Sequence, residues 1–339
     1  WADARLSGRR DEADRHAVDV TRVGRALSSA SRDVTAAEIA DRVNLAAQRG
    51  DDRDLAVGHL AYAKARVAYE RGDRVAAAAH LAEAAAKLGI VDAQLTWAQM
   101  LLRGSGTQQD PKAAFRWFTI AAVTKRPDAL NMLGRCYELG WGVAINYAEA
   151  ARLYGEAAAK GYDWALFNLA TLVFAGAGVE QSDREALTLY VRAARKGHGK
   201  AMTVIGRFRE EGWAVPGKAA AALRWYARGA ARGDCRAHYR LAQLKLSAGE
   251  RDAGLFHLAQ AIDGAFPEFC RGVAPVLLAD EDEDVRSLGR HALERANGIG
   301  HVTDPGTQDR EFPQKVERPK EPDTNVLRRL SRVLFPKRD

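Results

Sequence analysis

Three cysteines in 339 residues (Cys136, Cys235 and Cys270), none at a CxxC spacing, exclude a disulfide framework and a cysteine-rich metal site. No apolar run approaches the roughly 20 residues that a membrane-spanning helix needs. Aromatic residues make up only 8% of the chain while alanine is abundant. That mix suits closely packed helices better than sheets, which favour β-branched and aromatic residues. The chain opens on Trp1 without a charged segment followed by an apolar one, so it reads as a processed chain or as part of a longer one.

Catalytic signatures are also missing. There is no HExxH and no GxSxG. Gly197-His198-Gly199-Lys200 looks superficially like a phosphate loop, but Ala194 and Ala201 stand where the motif requires glycine and Ser/Thr. The eight histidines, at 16, 59, 80, 198, 238, 257, 291 and 301, are scattered, and none stands at metal-ligand spacing with a cysteine; each reads as a surface or packing residue. No enzyme activity, metal or cofactor is expected. What remains is a chain with 47% apolar residues, ample for a core, and a net charge of +7 from 51 Lys+Arg against 44 Asp+Glu. The length allows one long domain or two ordinary ones.

A strict period organises it. Ala93, Ala129, Ala165, Ala201 and Ala237 stand 36 residues apart, and Gly104, Gly140, Gly176 and Gly212 keep the same step. So do Ala114, Ala150, Ala186 and Ala222; Phe118, Tyr154, Tyr190 and Tyr226; and Ala122, Ala158, Ala194 and Ala230. Within one unit, Ala129, Leu133 and Tyr137 form a helical stripe, Gly140-Trp141-Gly142-Val143 stops that helix, and a second helix over 148–160 buries Ala150, Leu153, Tyr154, Ala157 and Ala158 before Gly161 closes it. Such a hairpin cannot bury its apolar side alone and must stack on its neighbours.

These residues resemble the Sel1-like repeat family, a relative of the tetratricopeptide repeat. The second unit carries Ala129, Leu133-Gly134, Tyr137, Gly140-Trp141-Gly142-Val143, Ala150, Tyr154, Ala157-Ala158 and Gly161; the third repeats most of them from Ala165 to Gly197. The first departs at Gly104-Ser105-Gly106-Thr107 and the fourth at Gly212-Trp213-Ala214-Val215. A fifth, from Ala237, lacks the glycine loop. The resemblance covers about 93–264 and implies an all-α, right-handed α/α solenoid of Sel1-like/tetratricopeptide-like hairpins. It also implies a non-catalytic scaffold or adaptor for a partner protein or peptide. Bacterial envelope proteins of the family suggest exopolysaccharide assembly or signalling in the cell envelope, with carbohydrate binding or an accessory role in an envelope enzyme complex as the alternative.

The flanks complete the expected organisation. Residues 1–52 form an N-terminal helical cap, partly flexible, with a possible helix over 11–28 and another opened by the capping box Thr35-Ala36-Ala37-Glu38. A tetratricopeptide-like helix pair spans 53–92, the repeat array 93–264, and capping helices 265–297. Residues 298–339 read as a disordered tail rich in proline and charge, ending in a short basic amphipathic segment over 325–335. Its Leu327, Leu330 and Leu334 are candidates for docking to a partner, to the array or to a membrane surface.

The charge lies in the array. Residues 93–236 hold 20 Lys/Arg and 12 Asp/Glu, a net +8 (20 − 12). This favours an acidic peptide or an anionic polysaccharide, or merely coats exposed helices with arginine; nucleic acid is not expected without a base-stacking module. In solenoids of this type the first helices line the concave face. The candidates there are Asn131, Arg135, Trp164, Asn168, Thr171, Thr203, Arg207, Tyr239 and Arg240, with Phe167 beside Trp164 as a second apolar anchor. Trp141 and Trp213, at equivalent loop positions, are either partner anchors or packing residues over a neighbouring glycine loop.

Overall fold

The computed structural model describes the backbone of residues 52–88 and 90–297 and the side chains of 60–81 and 90–297. The helices expected over 11–28 and from Thr35, and the tail with Leu327, Leu330 and Leu334, lie outside the described residues. Among the described residues there are fourteen α-helices and no strand. They fall into two units, divided between Thr124 and Lys125. Unit 1 holds α1 (Asp52–Glu70), α2 (Arg74–Leu88), α3 (Val91–Arg103) and α4 (Pro111–Ala122). Unit 2 holds α5 (Pro127–Leu139), α6 (Tyr147–Ala159), α7 (Asp163–Ala175), α8 (Asp183–Arg195), α9 (Gly199–Glu211), α10 (Ala219–Ala230), α11 (Cys235–Ser247), α12 (Arg251–Asp263), α13 (Pro267–Leu278) and α14 (Glu283–Ala296). Each odd-numbered helix packs antiparallel on the even-numbered one that follows; in unit 2, α6 packs on α7, α8 on α9 and α10 on α11, while α12 packs on α14, so the hairpins stack. The fold is all-α and repetitive.

The alanine columns explain the close packing. Ala93, Ala129, Ala165, Ala201 and Ala237 have no solvent exposure, nor do Phe118, Tyr154, Tyr190 and Tyr226. A methyl side chain lets two helix backbones approach; one aromatic ring per hairpin then fills the gap. Burying such a ring is worth roughly 2–3 kcal/mol. Core clusters of this kind run through unit 1, around Ala65, Leu81 and Met100, and through the end of unit 2, around Leu258, Cys270 and Leu277.

The loops follow a common rule with one exception. Gly104, Gly140, Gly176 and Gly212 take left-handed φ values of 67° to 74° and end α3, α5, α7 and α9. The second glycine of the loop has a further task. A Cβ on Gly178 would lie 2.3 Å from the backbone of Tyr147 and Ala148, because the loop rests on the start of α6. The next helix is then capped by a side chain. Asp110, Asn146 and Ser182 accept hydrogen bonds from the N–H groups of Ala113, Glu149 and Glu185.

The loop 212–218 keeps the first glycine but departs from the other two features. Ala214 replaces the second glycine yet keeps φ = 59°, one of two non-glycine residues with positive φ among the described residues. The other, Lys125 at 56°, occupies the column of Gly161, Gly197 and Gly233. Lys218 occupies the cap column, where it has no acceptor, and no side-chain cap is formed on α10. Ala214→Gly and Lys218→Asp should therefore each stabilise unit 2, by roughly 0.5–1 kcal/mol from relieved backbone strain and roughly 1 kcal/mol from the new cap. Asn146→Ala and Ser182→Ala should each cost about 1 kcal/mol. Chemical denaturation followed by circular dichroism checks all four.

Candidate functional site

The first helices of the unit 2 hairpins, α5, α7, α9 and α11, carry the candidate face. Its polar residues are tied along the stack rather than gathered at one point. Lys200 on α9 stands over the Trp164 ring on α7, its Nζ 5.2 Å from the centroid. Trp164 also meets His198, with ring centroids 4.5 Å apart, and His198 in turn meets Phe167 at 4.7 Å. Arg135 lies over Trp141 at 5.0 Å and Arg207 over Trp213 at 5.3 Å. Arg236 covers Phe266 at 5.2 Å, and Tyr239 meets Phe269 edge-on. Arg240 forms a two-pronged ion pair with Glu210, its Nε 3.1 Å from Oε2. Cations held over rings or in a bidentate carboxylate pair lose little further freedom when a ligand arrives.

Beneath this face lies an accounting of tyrosine hydroxyls. Tyr154 donates to Glu138 Oε2 at 2.5 Å, and Tyr226 donates to Glu210 Oε2 at the same distance, each across 16 residues. In the hairpin between them the glutamate position is Phe174. There Tyr190 instead meets Thr171 Oγ1 at 3.0 Å. Thr171 spends its own proton on the Phe167 carbonyl, 3.0 Å away, so Tyr190 is the donor. In unit 1 the aromatic is Phe118, which has no hydroxyl, and the matching position is the fully buried Leu102. Gly134 and Gly206 give the tyrosine rings room: a Cβ on either would come within 2.7 Å of the ring.

The two glutamates differ in charge behaviour. Burial alone would raise both. At Glu210 the hydrogen bonds from Arg240 and Tyr226 and the charges of Arg240 and Arg207 outweigh it, and the carboxyl sits below its usual range. At Glu138 burial prevails over the Tyr154 hydrogen bond and the Arg135 charge, and the carboxyl is raised. Two things make the difference: Glu138 is the more deeply enclosed, and the position of Arg240 is taken by Asn168 one repeat pair earlier.

Several expected face residues are elsewhere. Asn131 is buried and accepts from Asn168 Nδ2 at 2.9 Å, joining α5 to α7. Thr171 is buried beneath Tyr190. Thr203 is buried and donates to Asp234, which is buried too. Polar side chains off the apolar stripe were expected to point outward, but a hydroxyl or an amide also serves in a helix–helix seam if it finds a partner. Trp141 is buried and Trp213 is half-buried against Phe174 and Phe208, so they pack within the stack and form no flat exposed platform. Arg135, Trp164, Asn168, Arg207, Tyr239 and Arg240 are half-buried, with part of each side chain at the surface. Sequence reasoning missed Glu138, Glu210, Lys200 and Arg236. The 72-residue recurrence of Gly134/Gly206, Arg135/Arg207 and Glu138/Glu210 was the available signal. It also missed the contact of two histidines, His238 and His257, read as unrelated.

Hairpins that recur every 36 residues, closed by glycine loops and filled by one aromatic each, define an all-α helical-repeat protein. More particularly, four stretches of the chain match the Sel1 repeat, at residues 82–122, 127–162, 165–198 and 199–234. They open earlier than Ala93 and stop before Ala237, so the α11–α12 hairpin, with its Ala248-Gly249 turn, lies outside them. A Sel1 repeat protein from Oxalobacter formigenes superposes with a TM-score of 0.59 at 23% identity, over 69% of this chain and 99% of that one. A protective antigen of uropathogenic Escherichia coli with an SLR fold, c5321, reaches 0.34 at 19% identity, over 79% of this chain and 73% of that one. The immunity protein Pa5087 of Pseudomonas aeruginosa reaches 0.48 at 17%, over 62% and 81%. The first supports the fold; the other two are too distant to add to it. Sel1 repeat proteins generally serve as protein–protein interaction scaffolds and are typically non-catalytic. Among the described residues no helix is long and apolar enough to cross a membrane, and no three His, Cys, Asp or Glu side chains are grouped to hold a metal ion.

The hydroxyl accounting gives an order of mutational costs. Tyr154→Phe leaves Glu138 buried without its donor and should cost roughly 1–3 kcal/mol, whereas Tyr190→Phe leaves Thr171 still bonded to Phe167 and should cost under about 1 kcal/mol. Glu210→Gln removes the partner of Arg240 and should cost about 1–2 kcal/mol at neutral pH. Glu138→Gln keeps an acceptor for Tyr154, removes a buried charge, and should be neutral or stabilising there. The pH dependence separates the two. A lowered Glu210 contributes stability above the usual carboxyl range and loses it as pH falls through its folded pKa. A raised Glu138 instead costs stability as pH climbs from that range through its folded pKa. Any advantage of Glu138→Gln should therefore shrink on acidification, and the penalty of Glu210→Gln should shrink as well, as urea denaturation across the pH range will show.

Proposed function

We propose that this chain is a non-catalytic scaffold that binds an acidic segment of a partner protein along the first-helix face of unit 2. The supporting observation is the row of Arg135, Lys200, Arg207, Arg236 and Arg240 on α5, α9 and α11, each held over a ring or against a carboxylate while partly open to solvent. Trp164, Asn168 and Tyr239 supply apolar surface and an amide between the cations. Carboxylates of an extended segment are recognised by such fixed donors, and a step of one hairpin per contact spreads the binding over many weak terms. Assembly of an envelope or exopolysaccharide machine, or restraint of an envelope sensor, is a setting that fits this role.

Lys200→Glu with Arg236→Glu tests the face. In affinity capture with the full chain the double variant should bind the partner retained by the native protein about tenfold or more weakly, with its helical circular dichroism unchanged. Recovery equal to that of the native chain would remove this face from the binding mechanism.

A further inference from the structure

The α11–α12 hairpin departs from the repeat in a way the scaffold role does not use. Its α12 begins four residues earlier than the 36-residue step requires. Its buried residues Gly254, Leu258, Ala261 and Ile262 follow Ala222, Tyr226, Gly229 and Ala230 of α10 by 32. In this register His257 takes the place of Leu153, Leu189 and Trp225, and His238 takes that of Leu130, Leu166 and Met202. Where earlier hairpins bury leucines, this one brings two imidazoles together, tilted by 47° and Nδ1 to Nδ1 at 3.1 Å. They border a cavity of about 390 Å³ between α10, α11 and α12. Its other walls are Leu223, Ala227, Ala230, Ala231, Leu241 and the side chain of Lys245.

The protons of the pair can be assigned. His238 Nε2 lies 3.1 Å from the Ala230 carbonyl oxygen, which only accepts, so Nε2 carries a proton. In the neutral ring Nδ1 of His238 is then an acceptor, and the proton between the rings belongs to His257 Nδ1. That leaves His257 Nε2 bare. If Nε2 gains a proton, both existing hydrogen bonds survive and the ring becomes a cation beside the cavity. No second proton fits, because the lone pair of His238 Nδ1 is already used.

We propose that this cavity receives the C-terminal residue of a partner polypeptide, an apolar side chain entering the aliphatic walls and its free carboxylate meeting His257 and Lys245. Charge complementarity selects this guest: the ionisable groups in the lining are His238, His257 and Lys245, and no carboxylate is among them. The volume is at the small end of ligand sites and suits one side chain with its terminus. The inference shares with the scaffold reading only the premise that the partner is a polypeptide; it concerns a different face.

The charges around the pair set its pH dependence. α10 places no ionisable side chain in the lining. Asp234, before α11, favours the proton on His238, while Lys245, paired with Glu250, and His238 itself disfavour it on His257. Burial lowers both histidines below their ordinary range, so the imidazole pair is neutral near pH 7. A bound carboxylate reverses this at His257, which takes one proton from solvent. Affinity for the carboxylate therefore rises as pH falls from neutrality toward the lowered pKa of the free His257, by up to tenfold per pH unit.

Ring-proton NMR of the full chain, titrated with N-acetyl-Ala-Leu and with its C-terminal amide, tests the proposal. The free acid should shift both histidine resonances, bind at least about tenfold more tightly than the amide, and tighten on acidification. His257→Gln should abolish the pH dependence, and Lys245→Met should weaken the acid while leaving the amide unchanged. Lys200→Glu/Arg236→Glu should leave the titration intact, which separates this site from the first-helix face. Equal binding of acid and amide, no histidine shift at millimolar probe, or binding of sodium octanoate in place of the peptide would each overturn it.

Discussion

Each of the four hairpins from α3 to α10 must bury one large aromatic ring against a row of alanines, and most of the structure is arranged around that demand. Phe118, Tyr154, Tyr190 and Tyr226 are sealed from solvent. A buried phenyl ring asks only for space. A buried phenol also asks for a partner, because an unsatisfied hydroxyl forfeits much of what its ring contributes. The facing helix answers in each hairpin according to which ring it meets: Leu102 for a phenyl, Glu138 or Glu210 for a hydroxyl, Thr171 where Phe174 has displaced the glutamate. The columns that look loosely kept are thus coupled in pairs. A change at one is tolerable when its opposite number changes too.

The coupling carries the chemistry of the face. Glu138 and Glu210 are present because tyrosines need them, yet once there they draw arginines. Arg240 closes on Glu210 in two hydrogen bonds and holds it ionised; Asn168 cannot do the same for Glu138, which stays raised. An interior requirement therefore fixes Arg240, while the other cations of the face are held over aromatic rings. Binding a carboxylate with arginines already ordered costs less side-chain entropy than ordering them on contact.

The fold was legible because it is periodic. Five columns at one step specify hairpins, their stacking and their loops without any reference to a partner. The face was less legible for a physical reason. Helical spacing tells which residues share a side, but Asn131, Thr171 and Thr203 occupy seams where a short polar group pairs with another across the interface. Spacing alone treats such groups as solvent-facing. Trp141 and Trp213 raise the same difficulty from the opposite side, since a large ring in a loop fits a partner or a neighbouring hairpin equally well. The cap column Asp110, Asn146, Ser182 and Lys218 was readable in principle, because only three of the four can accept a hydrogen bond.

Departures from the period are where a repeat protein is free to specialise. Within the regular hairpins each residue is constrained by the copies before and after it, so novelty costs stability at two interfaces. The α11–α12 hairpin keeps the period on α11 alone, and its shortened turn shifts α12 by four residues against α10. That shift opens the space that Leu223, Ala227 and Leu241 line, and it brings His257 to His238. Two imidazoles are a poor substitute for leucines in a core, since each loses hydration for one or two hydrogen bonds. The Ala230 carbonyl and the shared proton recover part of that loss and orient the pair, leaving one nitrogen uncommitted. A core defect with a fixed geometry and a single open valence is a different object from a gap in packing: it discriminates by charge, and it does so only because the rest of the hairpin is held rigid by the stack behind it.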